Sequence, residues 1–405
     1  MKHILLVSRC PPYPLHLGDR LILYHLAREL SRRGYQIDLL AFSDRAEDQA
    51  EEHEYAPFFR SVSLFPEPRR SPFDYLKRLF LPGSRFPRRA VDSWSPEMWR
   101  AIEKRLTTHE YDAVHLFGGV QVYEFLHALG DVPAIIVPYE SYSLYRRRLV
   151  ESRRGAVGTG LKPSSVDITN RLQHAIARRY ERFMFAPYQR TVVVSDRDKD
   201  ELLAINPALP IDVIPNGIDL DYFRAGKGER EATTLLFTGN YEYPPNVDAA
   251  LRLAREILPG VQAQLPEAKL WLVGNAPPPE MQALANDSIT VTGRVPDVRP
   301  YLAQATVFVC PLRLGAGIKN KVLEALALGL PVVATPLSVD GIEVQPGQEV
   351  LIADSDTLVV EVVRLLRDRE LQGKLSANGP RLIQERHSWA RVASLYEELY
   401  EKVSR

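Results

Sequence analysis

The chain alternates between two hydrophobic rhythms. Short unbroken apolar runs are each followed by a turn residue, then by a stretch of helical period. Ile4–Ser8 predicts a buried strand. Arg20–Arg33 predicts an amphipathic helix, with Leu21, Leu23, Tyr24, Leu26, Ala27 and Leu30 apolar and Gly34 as its stop. Gln36–Phe42 is the next strand, which completes a βαβ unit, the building block of parallel sheets. Further strands are predicted at Ala113–Phe117, Ala134–Val137 and Thr191–Val194. Residues 58–99, rich in Pro and Arg, and 146–170, basic and then Gly/Ser-rich, read as loop or helical insertions rather than sheet.

A second strand–helix series begins near Thr233. Its strands are predicted at Leu235–Thr238, Lys269–Val273, Ile289–Thr292, Val307–Cys310, Val332–Thr335 and Val350–Ala353. Three of these run into glycine: Gly239, Gly274 and Gly293. Glycine at the carboxyl end of a parallel strand lets backbone approach a ligand, and ligands of open α/β sheets bind outside those ends. Tight turns alone would also explain each glycine. The turn-forming run Pro215-Asn216-Gly217-Ile218-Asp219 marks the domain boundary. The expected division is 1–215 and 216–388, with the last helix, 389–405, packing back on the first domain.

The 45% of hydrophobic residues in a chain of 405 is ample for two cores. The 51 basic and 51 acidic residues cancel, which argues against a nucleic-acid partner. Cys10 and Cys310, far apart, form no disulfide framework or zinc motif, and a reducing, cytoplasmic setting is the default expectation. The apolar start is too short for a signal peptide, and no run approaches the ~18–20 apolar residues of a membrane span. A soluble or peripheral protein is expected.

The richest chemistry lies in Gly315-Ala-Gly317-Ile-Lys319-Asn-Lys321-Val-Leu-Glu324-Ala-Leu-Ala-Leu-Gly329-Leu-Pro331. It reads as a Gly-rich loop, a short helix with Asn320 at its N-cap and Gly329 at its C′ position, and then a strand. A helix start collects anions, and Lys319 and Lys321 suit a diphosphate. Glu324, an acid among apolar neighbours, needs a partner that ribose hydroxyls would supply. The plainer reading keeps Glu324 for the helix dipole or a lysine and the glycines for a turn. The residues alone leave both open.

This stretch resembles the donor-binding signature of retaining glycosyltransferases of family 4, in which a Glu-x7-Glu motif runs into Leu-Glu-Ala-(Met/Leu)-Ala-x-Gly-x-Pro-Val-Val-Ala-Thr. Leu323 to Thr335 match it. Val213 to Asp219, Val193-Val194-Ser195, Trp271 to Gly274 and Val291 to Val295 look like other family segments. The resemblance implies an α/β, GT-B type fold, two Rossmann-like domains with parallel sheets facing a central cleft. It implies sugar transfer from a nucleoside-diphosphate sugar to a saccharide or lipid-linked acceptor, with retention and with no separate cofactor. Gly239, Asn240, Gly274, Arg294, Gly315, Gly317, Lys319, Lys321 and Glu324 would hold the nucleotide sugar, with Glu324 and Lys319 also counted as catalytic. The chain departs at two points. Ala316 stands where the first motif glutamate would be. The loop Gly239–Asn246 lacks the family's Arg and Lys, a gap that Lys319 and Lys321 would fill. The Tyr-Pro-Pro-Asn-Val-Asp and Gly-Ile-Lys-Asn-Lys runs are similar to a subgroup of sugar transferases associated with exopolysaccharide gene clusters. A nucleotide-sugar epimerase or hydrolase on the same fold, or an inactive partner subunit, remain the rival readings.

In the first domain, the loop after the first strand ends Leu17-Gly18-Asp19-Arg20. Gly18 would allow close approach, Asp19 would cap the helix, and Arg20 would meet a phosphate; an ordinary capped turn is the equal alternative. By family resemblance His115 is a candidate catalytic residue near the donor sugar, although Phe117 stands two residues later and a lone His in an apolar strand is commonly core. Arg69 to Arg89 mixes basic residues with Phe73, Tyr75, Leu76, Leu79, Phe80, Leu81 and Phe86. It fits a peripheral contact at the inner face of a membrane, or a solvated basic face with buried anchors. Asp219-Leu220-Asp221 imitates a metal motif, but turn chemistry explains it better. No metal site is expected.

Overall fold

A computed structural model describes residues 2–15, 17–156, 165–224, 230–315 and 317–404, with side chains described outside 151–167. The chain divides into two units, 1–217 with 389–405, and 218–388.

The first unit is built on a seven-stranded sheet: β1 (His3–Ser8), β2 (Gln36–Ser43), β3 (Ser61–Pro66), β4 (Ala113–Phe117), β5 (Ala134–Tyr139), β6 (Arg190–Val193) and β7 (Ile211–Val213), in the order β3-β2-β1-β4-β5-β6-β7. Every pairing is parallel. The continuous apolar runs follow from burial on both faces. On β1, Leu5 and Val7 enter one core layer with Leu40, Phe42, Trp99 and Ile102. Ile4 and Leu6 enter the opposite layer with Leu23, Leu26, Tyr396 and Tyr400. Each such side chain contributes roughly 1.5–3 kcal/mol by leaving water. The helix Trp389–Val403 belongs to that second layer: Trp389 stacks on His25 of the helix Gly18–Arg32, with ring centroids 5.2 Å apart.

The sequence reading missed β3, which lies inside the stretch expected to be an insertion. All but one of its residues are only half-buried, as suits an edge strand, so it lacks an unbroken apolar signature. β7, three residues at the other edge, was missed for the same reason. The helix Pro72–Phe80 follows β3. Residues 146–170 fall in the helices Tyr142–Ala156 and Ser165–Met184, with 157–164 outside the described residues.

The second unit repeats the design with six parallel strands: β8 (Thr234–Thr238), β9 (Lys269–Val273), β10 (Ile289–Val291), β11 (Val307–Cys310), β12 (Val332–Ala334) and β13 (Val350–Ile352), ordered β10-β9-β8-β11-β12-β13. One contiguous core serves it, from Leu235 and Phe237 to Val362 and Leu365. In each sheet the chain order reverses at one place, between β1 and β4 and between β8 and β11. Such switch points are where doubly wound sheets bind ligands.

Candidate nucleotide-sugar site

At the switch point of the second sheet, the turn after β8 meets the loop after β11. Gly274, which ends β9, is fixed by packing. Its φ is +149°, and a Cβ there would collide with the carbonyl oxygen of Gly239. The loop after β11 carries Gly315 at φ +123° and Gly317 at φ +64°, angles that side-chain-bearing residues rarely adopt. Ala316 lies outside the described residues.

That loop feeds the helix Asn320–Ala327, which ends in a left-handed Gly329 with Leu330 N–H bonded to Ala325 O at 2.9 Å. The N-cap position is Lys319, not the expected Asn320, and Lys319 provides no side-chain cap. Its ammonium instead donates to the carbonyl of Gly317, which pins the glycine loop. A helix start leaves backbone N–H groups that its own ladder cannot use, and these favour anions.

Lys321 points beneath the turn after β8. Its Nζ donates to Asn246 Oδ1 at 2.6 Å and lies 4.4 Å from the centroid of the Phe237 ring. Asn246 Nδ2 in turn donates to the backbone oxygen of Asn240 at 2.7 Å. Burial draws the Lys321 pKa down to about 8, against the opposing charges of Cys310 and Glu324. Glu324, one turn on, is half-buried. Burial pushes its carboxyl up to about 7, only partly offset by Lys321. Among the described residues it makes no hydrogen bond and no ion pair within 4 Å.

The other expected contacts divide. Gly239, Asn240, Gly274, Gly315, Gly317, Lys319, Lys321 and Glu324 cluster at the ends of β8, β9 and β11. Arg294 follows β10 at the sheet edge, with β9 between it and β8, and is exposed. Arg313, a further cation in the loop after β11, is held by Asp248 through two contacts of 2.7 and 2.8 Å. The sequence reading missed Asn246, the residue that receives Lys321. Its only signal was its place just after Tyr243-Pro244-Pro245.

The first unit corrects three expectations. Arg20 is not presented to a ligand. It is buried, its guanidinium shared among Asp48 at 2.7 Å, Asp44 and the carbonyl of Tyr13. His115 is fully buried in β4, its Nδ1 2.7 Å from the Tyr400 hydroxyl and its ring stacked near Tyr396. Burial drives its pKa down to about 3, so it stays neutral and structural. Asp19 is not the cap either, because Leu17 holds that position. The Asp19 carboxylate pairs with Arg9 at 2.8 Å. Gly18 opens the helix with nothing crowding it. Beyond β4, an open groove of about 510 Å³ is lined by Glu67, Arg69, Arg70, Tyr75 and Val120.

Two doubly wound parallel sheets, one with positive-φ glycines after its switch-point strands, define a two-unit α/β class. The glycosyltransferase family 4 model matches residues 21–222, and the model of glycosyl transferases group 1 matches residues 232–368. The chain belongs to the family 4 type of glycosyltransferases, with the GT-B fold. A Klebsiella pneumoniae protein described as an uncharacterized 44.6 kDa protein in the cps region is 22% identical, over 44% of this chain and 48% of its own. A Mycobacterium tuberculosis GDP-mannose-dependent alpha-(1-6)-phosphatidylinositol monomannoside mannosyltransferase is 28% identical, over 47% of this chain and 56% of its own. The chain thus spans about half the length of the curated relatives it matches. Anabaena HepE, solved with UDP and glucose, shares the fold with a TM-score of 0.63, at 15% identity over 99% of this chain and 100% of that one.

Proposed function

We propose that the chain moves a sugar from a nucleoside diphosphate to an acceptor hydroxyl in polysaccharide or glycolipid assembly. The observation that carries this is the Glu324 carboxylate, which makes no hydrogen bond among the described residues, beside Lys321 and a glycine-lined helix start at the β8–β11 switch point. In this reading Glu324 receives the ribose hydroxyls. Charge developing on the leaving diphosphate is met by first-turn amides and by Lys321, in place of a metal ion. HepE with UDP and the GDP-mannose-dependent relative support a nucleotide-sugar donor. The cps-region relative supports placement in exopolysaccharide assembly. Retention at the anomeric carbon is part of the proposal through the family.

The test presents the purified chain with UDP- and GDP-sugars, with and without saccharide and lipid-linked acceptors. Sugar appearing on an added acceptor is the expected result. Release of free sugar regardless of acceptor would establish a hydrolase, epimerised donor an epimerase, and absence of any turnover an inactive partner subunit.

A further inference from the structure

The helix Pro72–Phe80 is apolar on two opposite faces. Tyr75, Arg78 and Leu79 turn inward. Leu79 enters the core, Tyr75 stacks on Tyr180 with centroids 5.8 Å apart, and Arg78 pairs with Glu124. Phe73, Leu76 and Phe80, at spacings of three and four, share the other face, and they are 75%, 40% and 51% exposed. Leu81 extends that face at 54% exposure. A soluble helix normally gives this side to polar residues.

A second helix packs beside this face. Arg179, on the helix Ser165–Met184, donates to the Leu79 carbonyl at 3.1 Å and lies 4.6 Å over the Phe80 ring. Ile168 and Leu172 share Arg179's helix face by their spacing, and each is 60% exposed.

The charge around the strip is predominantly basic, with Asp74 the exception on the helix itself. Arg69, Lys77, Arg88 and Arg171 are exposed and make no ion pair within 4 Å among the described residues. Of the nearby acids, Glu67 pairs with Arg70 and Asp92 with Arg89, while Asp74 accepts from Ser71 at the helix start and keeps its charge. Exposed aromatic and aliphatic anchors ringed by uncompensated cations match an anionic bilayer surface, where the rings enter the headgroup boundary and the cations meet lipid phosphates.

We infer that the outward face of the Pro72–Phe80 helix docks this chain on an anionic lipid bilayer. The segment expected from sequence is therefore divided. Tyr75, Leu79 and Phe86 serve the core, while Phe73, Leu76 and Phe80 face outward.

The experiment is co-sedimentation of the full chain with phosphatidylcholine vesicles, with and without about 30 mol% phosphatidylglycerol. No donor or acceptor is present, so failure here leaves the sugar-transfer reading untouched. Binding to the anionic vesicles alone is expected. Phe73→Ser with Phe80→Ser should weaken it by about tenfold or more at unchanged melting temperature, because both side chains are exposed. Lys77→Gln with Arg88→Gln should weaken it to a lesser degree. Wild-type-like binding by the Phe73→Ser/Phe80→Ser variant would overturn the docking face. So would a failure to bind, or a dimer in sedimentation equilibrium that this variant dissolves, since the face would then be a self-association surface.

Discussion

The ammonium of Lys321 lies 3.1 Å from where a Cβ on Gly239 would begin. A cation carried by the helix after β11 thus reaches the end of β8, the strand whose following loop holds the family's usual basic pair. Gly239 leaves the room, and Asn246 fixes the amine.

Lys321→Ala should therefore cost diphosphate affinity selectively. A charge-assisted contact is worth about 1.5–3 kcal/mol, or roughly one to two decades in affinity. Affinities of a nucleoside monophosphate and diphosphate, measured by calorimetry, give the comparison. With the free-protein pKa near 8, diphosphate affinity should also fall as pH rises through 8, because binding must then take up a proton. Equal small losses for both nucleotides would place the diphosphate elsewhere. Lys319→Ala should act through the glycine loop it pins and affect both nucleotides.

Glu324→Gln should stabilise the fold while weakening nucleotide binding. The folded carboxyl titrates near 7, above its unfolded value, so the folded state holds its proton longer. Stability from that proton is complete below the unfolded pKa of about 4.3 and is lost as pH rises through about 7. Glutamine has nothing to lose over this window. Its advantage should grow from pH 5 to pH 8, by on the order of 1 kcal/mol. Thermal melts at several pH values test this. A variant less stable at pH 8 than wild type would show that the carboxylate is structural.

His115→Ala should melt earlier, with a loss of about 2–4 kcal/mol, because it opens a cavity against Tyr396 and Tyr400. Turnover per folded molecule should be nearly unchanged. Collapse of kcat at an unaltered melting temperature would restore His115 to the chemistry.

Sugar transfer should survive EDTA. Lys321 and helix amides are proposed to do the work of a metal ion, and no group of three metal-ligating side chains occurs among the described residues. A strict requirement for Mg2+ or Mn2+ would bring Asp219 and Asp221 back into consideration. At present the Asp219 carboxylate accepts from the amides of Asp221 and Tyr222, as a turn residue does.

By itself the sequence determined what depends on local pattern. Unbroken apolar runs marked the central strands, since a parallel strand covered on both faces needs them. Glycines marked strand ends, and an acid in an apolar helix marked Glu324. It could not reveal β3 and β7, whose edge positions relax that pattern. Nor could it assign the partners of its charged residues. Arg20 was read as facing a phosphate until the fold brought Asp44 and Asp48 against it, and the contact of Lys321 with Asn246 exists only because β8 and β11 are neighbours. His115 looked reactive only without Tyr400, 285 residues away. Long-range pairing decides whether a charge is spent inside the protein or kept for a ligand, and that pairing is set by sheet order, which no short window of sequence contains.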